Sequence, residues 1–92
     1  MSYRANRGGH APGHLRDAFL EYLDRGCEID LRHRVKVGYE GKQMSIRSLI
    51  GLLWNCTDIL PGHYCSELDL PAGSTYAIAV RKLYRVACLI PL

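Results

Sequence analysis

The sequence predicts an α+β fold that is mostly helical, with about four helices and one β-hairpin between the first and second. Two periodicities and a set of capping residues carry that expectation. Apolar residues recur at three- and four-residue spacing in three stretches, which gives each a helical stripe. Between the first two lies a run that alternates apolar and polar residues, the period of a half-buried strand. Gly, Ser, Thr, Asp and Pro stand at the joints, where helix ends and turns need them.

The first helix is expected over residues 12–25. Pro12 suits a first turn, and Leu15, Ala18, Phe19, Tyr22 and Leu23 share one face. Gly26 follows at the place of a left-handed C-terminal cap. From Cys27 to Tyr39 the residues Cys27, Ile29, Leu31, His33, Val35, Val37 and Tyr39 alternate with mainly charged neighbours, so a long strand is expected. His33 falls on its apolar face and is expected to be an interior histidine. Glu40 and Gly41 form a turn, and residues 43–46 pair back as a short second strand. Ser45 caps a central apolar helix holding Ile46, Leu49, Ile50, Leu52, Leu53 and Trp54, with Trp54 at the heart of the core. Asp58 is the expected cap of a third helix over residues 59–68, with Pro61 in its first turn and Leu60, Tyr64 and Leu68 on one side. Ser74 is the expected cap of the last helix, residues 75–89. Its core face is Tyr76, Ala77, Val80, Leu83, Tyr84 and Ala87. Residues 1–12 read as a flexible basic arm holding Arg4 and Arg7, and residues 13–92 as a single globular domain.

Composition narrows the function classes. Twelve Lys and Arg against nine Asp and Glu give a net charge of +3, and most of the bases are Arg, the side chain best shaped for phosphate and carboxylate. No apolar run reaches the length of a membrane span, and residues 1–13 hold none at all, so a cytoplasmic protein is expected. The four cysteines, Cys27, Cys56, Cys65 and Cys88, form no Cys-x-x-Cys pair and are expected as reduced, small core residues.

Catalytic and metal chemistry find little support. His63 and Cys65 are two apart on an expected helix and point to different sides. Ser66 lacks the glycines of a nucleophile elbow. His10 and His14 are separated by Pro12 and Gly13, which interrupt a helix, and Cys56, His63 and Cys65 are poorly spaced for zinc. Gly8-Gly9 follows no strand and precedes no Lys-Ser/Thr, so it is not a phosphate loop. No enzyme activity, metal or cofactor is expected.

Residues 61–83, Pro-Gly-His-Tyr-Cys-Ser-Glu-Leu-Asp-Leu-Pro-Ala-Gly-Ser-Thr-Tyr-Ala-Ile-Ala-Val-Arg-Lys-Leu, carry a more specific pattern. A small residue, Cys65, sits inside a first helix, a turn follows near Asp69, and a second helix opens with Ser74 and Thr75. The run resembles helix-turn-helix DNA-binding domains. It departs from them in a turn about one residue longer, in Pro71 within that turn, and in Asp69 where the family places glycine. The resemblance implies that Thr75, Ile78, Lys82 and Arg85, with Arg81 beside them, face double-stranded DNA. Residues 53–61, Leu-Trp-Asn-Cys-Thr-Asp-Ile-Leu-Pro, are similar to segments of small bacterial proteins of unassigned function. The joint expectation is a bacterial DNA-binding or regulatory accessory protein. The alternative is a non-enzymatic interaction module acting as a homodimer, through an outward Ile78 or an open hairpin edge.

Overall fold

A computed structural model of the chain describes residues 10–27, 29–38 and 40–88. Among them are four helices and one two-stranded antiparallel sheet, in the order α1 (Gly13–Asp24), β1 (Arg34–Val37), β2 (Lys42–Ser45), α2 (Ile46–Leu53), α3 (Gly62–Glu67) and α4 (Tyr76–Cys88). The fold is α+β and mostly helical, with the hairpin between α1 and α2.

α1 forms because Leu15, Ala18, Phe19, Tyr22 and Leu23 gain burial on one face while Asp17, Glu21 and Asp24 stay wet on the other. It ends in a Schellman motif. The Gly26 amide donates to the Leu23 carbonyl at 3.0 Å and the Cys27 amide to the Tyr22 carbonyl at 3.4 Å, with Gly26 at φ +85°. α3 ends the same way. The Asp69 amide donates to Ser66 at 3.1 Å and the Leu70 amide to Cys65 at 2.8 Å, and Asp69 takes φ +57°. Asp69 thus adopts the left-handed conformation that glycine takes elsewhere, which a short side chain tolerates better than a branched one.

The strand is shorter than the alternation predicts. Local hydrogen bonds capture its first half before it can pair. Cys27 stands at φ +52°, the Arg32 amide donates to the Asp30 carboxylate at 2.9 Å, and the His33 amide donates to the Asp30 carbonyl at 2.9 Å. Those bonds hold the Asp30 carboxyl below its ordinary range, the Arg32 amide being the main cause. The carbonyls of Leu31 and His33 turn inward, where they receive the Arg47 and Ile46 amides and satisfy the open first turn of α2. His33 is therefore exposed, against the interior position expected, with its ring 6.4 Å from that of Tyr22. Only Arg34–Val37 pairs with Lys42–Ser45, through Val35↔Met44 and Lys36↔Gln43. The expected strand residue Tyr39 lies outside the described residues.

α2 is the central helix. Ser45 accepts the Ser48 amide at 3.2 Å, and Ile46, Leu49, Ile50 and Leu53 are buried. Phe19, Ile46, Leu49, Leu53, Leu60, Cys65 and Val80 are the largest fully buried side chains, and α4 packs chiefly on α2. Trp54 is not at the centre of this core. The buried stripe ends at Leu53, and Trp54 falls beyond it as the C-cap, 37% exposed.

Two caps also differ from expectation. Asp58 does not cap α3, which begins later, after Pro61, without a side-chain cap. Residues 58–60 run extended beside residues 74–76 instead. Ile59 bridges Thr75, the Leu60 amide donates to the Ser74 carbonyl at 2.8 Å, and the Tyr76 amide donates to the Asp58 carbonyl at 3.0 Å. That pairing buries Ser74, whose hydroxyl donates to the Pro71 carbonyl at 2.6 Å. Thr75 Oγ1 takes the capping role and accepts the Ile78 amide at 3.3 Å. The described chain joins the core early, for Ala11 is already buried. Residues 1–9 of the expected arm lie outside the described residues.

Candidate nucleic-acid interface

The outward face of α4 collects most of the residues that the helix-turn-helix resemblance singled out. Ile78 is 42% exposed, and Arg81 and Arg85 are exposed. Lys82 is half-buried and its Nζ donates to the Asp69 carbonyl at 3.2 Å, which ties α4 to the end of α3. Thr75 is half-buried, and its hydroxyl oxygen is occupied by capping. Arg85 lies in the last turn, where a cation also offsets the negative end of the helix dipole.

Three apolar side chains flank this face. The Arg81 guanidinium carbon sits 5.4 Å from the centroid of the Trp54 ring. Tyr84, expected in the core, is half-buried and meets Trp54 edge-on, with centroids 5.8 Å apart and planes at 90°. Ile59, 61% exposed, is bridged to Thr75 at the start of the helix. Sequence reasoning missed Trp54 and Tyr84 as surface residues because aromatic side chains at helical spacing are usually core. The clue was positional. Trp54 stands one place past the i, i+3, i+4, i+7 stripe of α2.

Electrostatically the two helices are one-signed, and the exposed Asp69, whose carbonyl Lys82 bonds, is an acid that adjoins α4. α2 and α4 pack together and carry Arg47, Arg81, Lys82 and Arg85, with no Asp or Glu in either helix. Among the described residues, no ion pair with a carboxylate involves any of these four bases. Elsewhere bases are matched. Arg25 pairs with Glu21 at 2.9 Å, Arg32 with Asp30 at 3.4 Å, and Arg16 with Asp58 at 2.6 Å. Asp58 also holds His10 and is only 11% exposed, so its carboxylate joins residue 10 to α1, while its carbonyl accepts the Tyr76 amide at the start of α4.

The two helices of the resemblance are linked by the Lys82–Asp69 bond. α3 is short, residues 68–75 separate it from α4, and α4 takes its main support from α2. α4 is nevertheless presented with its basic side outward.

The remaining candidates fall elsewhere. Cys56 and Cys65 are buried, whereas Cys88 is exposed and Cys27 half-buried, so only two of the four behave as the expected core residues. Burial, aided by Glu67, pushes the Cys27 thiol up to about 11, and it stays protonated and weakly nucleophilic at neutral pH. His63 points outward toward Glu67, away from the buried Cys65. Among the described residues no three His, Cys, Asp or Glu side chains are placed to hold a metal ion, and no helix is long and apolar enough to cross a membrane. No protein-family model matches the chain, and neither a curated protein nor a solved structure matches it.

Proposed function

We propose that the chain is a small bacterial, cytoplasmic DNA-binding or regulatory accessory protein that uses the outward face of α4. Thr75, Ile78, Arg81, Lys82 and Arg85 are the proposed contact residues, with Arg47 as a further cation on the adjoining helix. The observation that supports this reading is the acid-free pair α2 and α4, whose bases make no pair with a carboxylate among the described residues. A cation without a protein counter-charge exchanges bound water and salt for phosphate, and the released counterions drive association. Three or four such contacts predict an affinity that falls about 40- to 150-fold between about 50 and 200 mM salt. Fluorescence anisotropy of a labelled duplex at the two salt concentrations measures this. Arg85→Ala should lower the salt slope by about one. Absence of duplex binding at the lower salt ends the proposal.

The second reading is a homodimeric interaction module, to which the open edges of the two-stranded hairpin point. The exposed Ile59, Ile78 and Trp54 instead flank the cations of α4. Charge argues against the α4 face as its twofold seam. A symmetric contact there would set Arg81, Lys82 and Arg85 against their own copies, and like charges brought together oppose association. A dimer would instead use the hairpin, whose two strands each leave an open edge within the described sheet. Light scattering that reports a stable dimer, disrupted by substitutions in the hairpin and not by those in α4, would favour this second reading.

A further inference from the structure

Trp54 is held in an unusual place for a large aromatic residue: exposed, at the end of the central helix and beside the cations of α4. From that juxtaposition we infer that the Trp54–Arg81 pair is a stacking platform for an unpaired base of single-stranded nucleic acid. This rests on the nucleic-acid reading of α4 and specifies the form of the ligand.

The platform has three parts. Leu53, fully buried, anchors the last turn of α2 and so fixes the backbone that carries Trp54. Tyr84 abuts the indole at right angles and limits its rotation. Arg81 lies over the indole, a planar cation in reach of the same ligand. A nucleobase stacks on an indole or a guanidinium because every base has a π-face, while its phosphates follow the cations. Lys82 and Arg85 continue along the same side of α4, and Ile78 adds apolar surface one turn earlier. Neither α2 nor α4 contributes an Asp or Glu to this side, and the adjoining acid, Asp69, lies beside Lys82. In a duplex the base faces are covered by their neighbours and only edges and phosphates are presented, so a base can stack on the Trp54–Arg81 pair only where it is unpaired and unstacked. A second copy of this chain would bring its own cations to the same place, which makes it a poorer occupant.

Trp54 is the only tryptophan in the chain, so its emission reports this site alone. The experiment titrates the full chain with oligothymidylate and oligouridylate of about eight nucleotides, the scale of a single-strand site. A duplex of equal length is titrated in parallel. Stacking predicts that both single strands quench Trp54 by more than half and that the duplex quenches it little. By anisotropy, Trp54→Ala should weaken single-strand binding about 5- to 150-fold. Duplex affinity should stay within about twofold, because phosphate contacts remain. Trp54→Phe, which keeps an aromatic face, should retain most of the single-strand affinity. Far-ultraviolet circular dichroism checks that both variants are folded.

Single-strand binding that leaves the emission unchanged overturns the inference, as does Trp54→Ala binding like the parent. In either case retained duplex affinity leaves the α4 reading standing. Binding of neither single strand nor duplex removes both. An emission shift that follows protein concentration without oligonucleotide would show a second copy covering Trp54, and also overturns the inference.

Discussion

α1 and α4 are amphipathic helices of similar length that bury similar faces and turn opposite charges to solvent. α1 places Leu15, Ala18, Phe19, Tyr22 and Leu23 inside, and α4 places Tyr76, Ala77, Ala79, Val80, Leu83 and Ala87 inside. Outside, α1 shows Asp17, Glu21 and Asp24, which α4 answers with Arg81, Lys82 and Arg85. The difference extends to how these charges are used. Glu21 pairs with Arg25, Asp24 accepts the Tyr64 hydroxyl at 3.0 Å, and Asp17 and Glu21 line a groove of about 490 Å³ opposite Lys36. Glu21 and Asp24 thus have partners within the fold, and Asp17 lines the groove. Of the α4 bases, Lys82 bonds a carbonyl and Arg81 lies on an aromatic ring, and neither contact neutralises the charge. Hydrophobic spacing explains why both helices form, and charge partnership separates them: acids of α1 have partners within the fold, while the bases of α4 pair with no carboxylate among the described residues.

The largest expected effect lies on the α1 side. Phe19 is fully buried, with ring centroids 6.5 Å from Tyr22 and 6.0 Å from Tyr76. Phe19→Ala removes that packing and opens a cavity between α1 and the start of α4. A loss of about 3–5 kcal/mol is expected in urea unfolding, a large part of the roughly 5–15 kcal/mol that holds a small domain together. A loss under about 1 kcal/mol would mean that the site collapses freely and that α1 is no pillar of the core.

Asp58 comes next, because it joins the two regions. Its carboxylate bonds Arg16 of α1 and His10, and its carbonyl receives the first amide of α4. Asp58→Ala leaves that carbonyl in place and strands the guanidinium of Arg16, whose Nε is already buried without a partner. The expected loss is about 2 kcal/mol, in the range for hydrogen bonds to charged groups, discounted for partners that remain partly wet. Equal unfolding midpoints for Asp58→Ala and the parent would show that α1 and α4 are joined by apolar packing alone.

Much of this architecture was legible from short-range pattern. The stripe Ile46, Leu49, Ile50, Leu53 and the cap Ser45 belong to one local segment, and each determines its own environment. The same holds for Gly26 and the end of α1. Illegible features came from competition or from distance. Asp30 bonds its own neighbours and ends a strand that the alternation alone would have extended to Cys27. Asp58 looked like a cap because Ile59 and Pro61 follow it, whereas its partners stand 48 and 42 residues away. Ser74 and Thr75 are adjacent hydroxyls, and only the Ile59–Thr75 bridge decides which of them caps α4. For the candidate site, the outward placement of Ile78, Arg81 and Arg85 followed from helical spacing. The surface role of Trp54 did not, because it depends on where α2 stops.

The smallest expected effect on stability tests the α4 side most directly. Ile78 is 42% exposed and sits on the wet face of the helix. Ile78→Glu should change unfolding free energy by no more than about 0.5 kcal/mol, as surface substitutions generally do. Its effect on ligand binding should be larger in proportion. A carboxylate at position 78 lies one turn from Arg81 and Lys82, pairs with them in the free protein, and repels phosphate brought to the same face. One cancelled contact corresponds to a salt slope shallower by about one, so duplex and single-strand affinity should both fall at low salt and converge toward the parent as salt rises. Glu21→Gln, on α1, is the opposite change: it removes a carboxylate and leaves Arg25 without its partner, so low-salt affinity should equal or slightly exceed the parent's. Equal binding by Ile78→Glu and the parent at low salt would mean that α4 carries its unmatched charge for some purpose other than holding a polyanion. Unfolding by Ile78→Glu would mean that the helix is rotated, with Ile78 turned into the core.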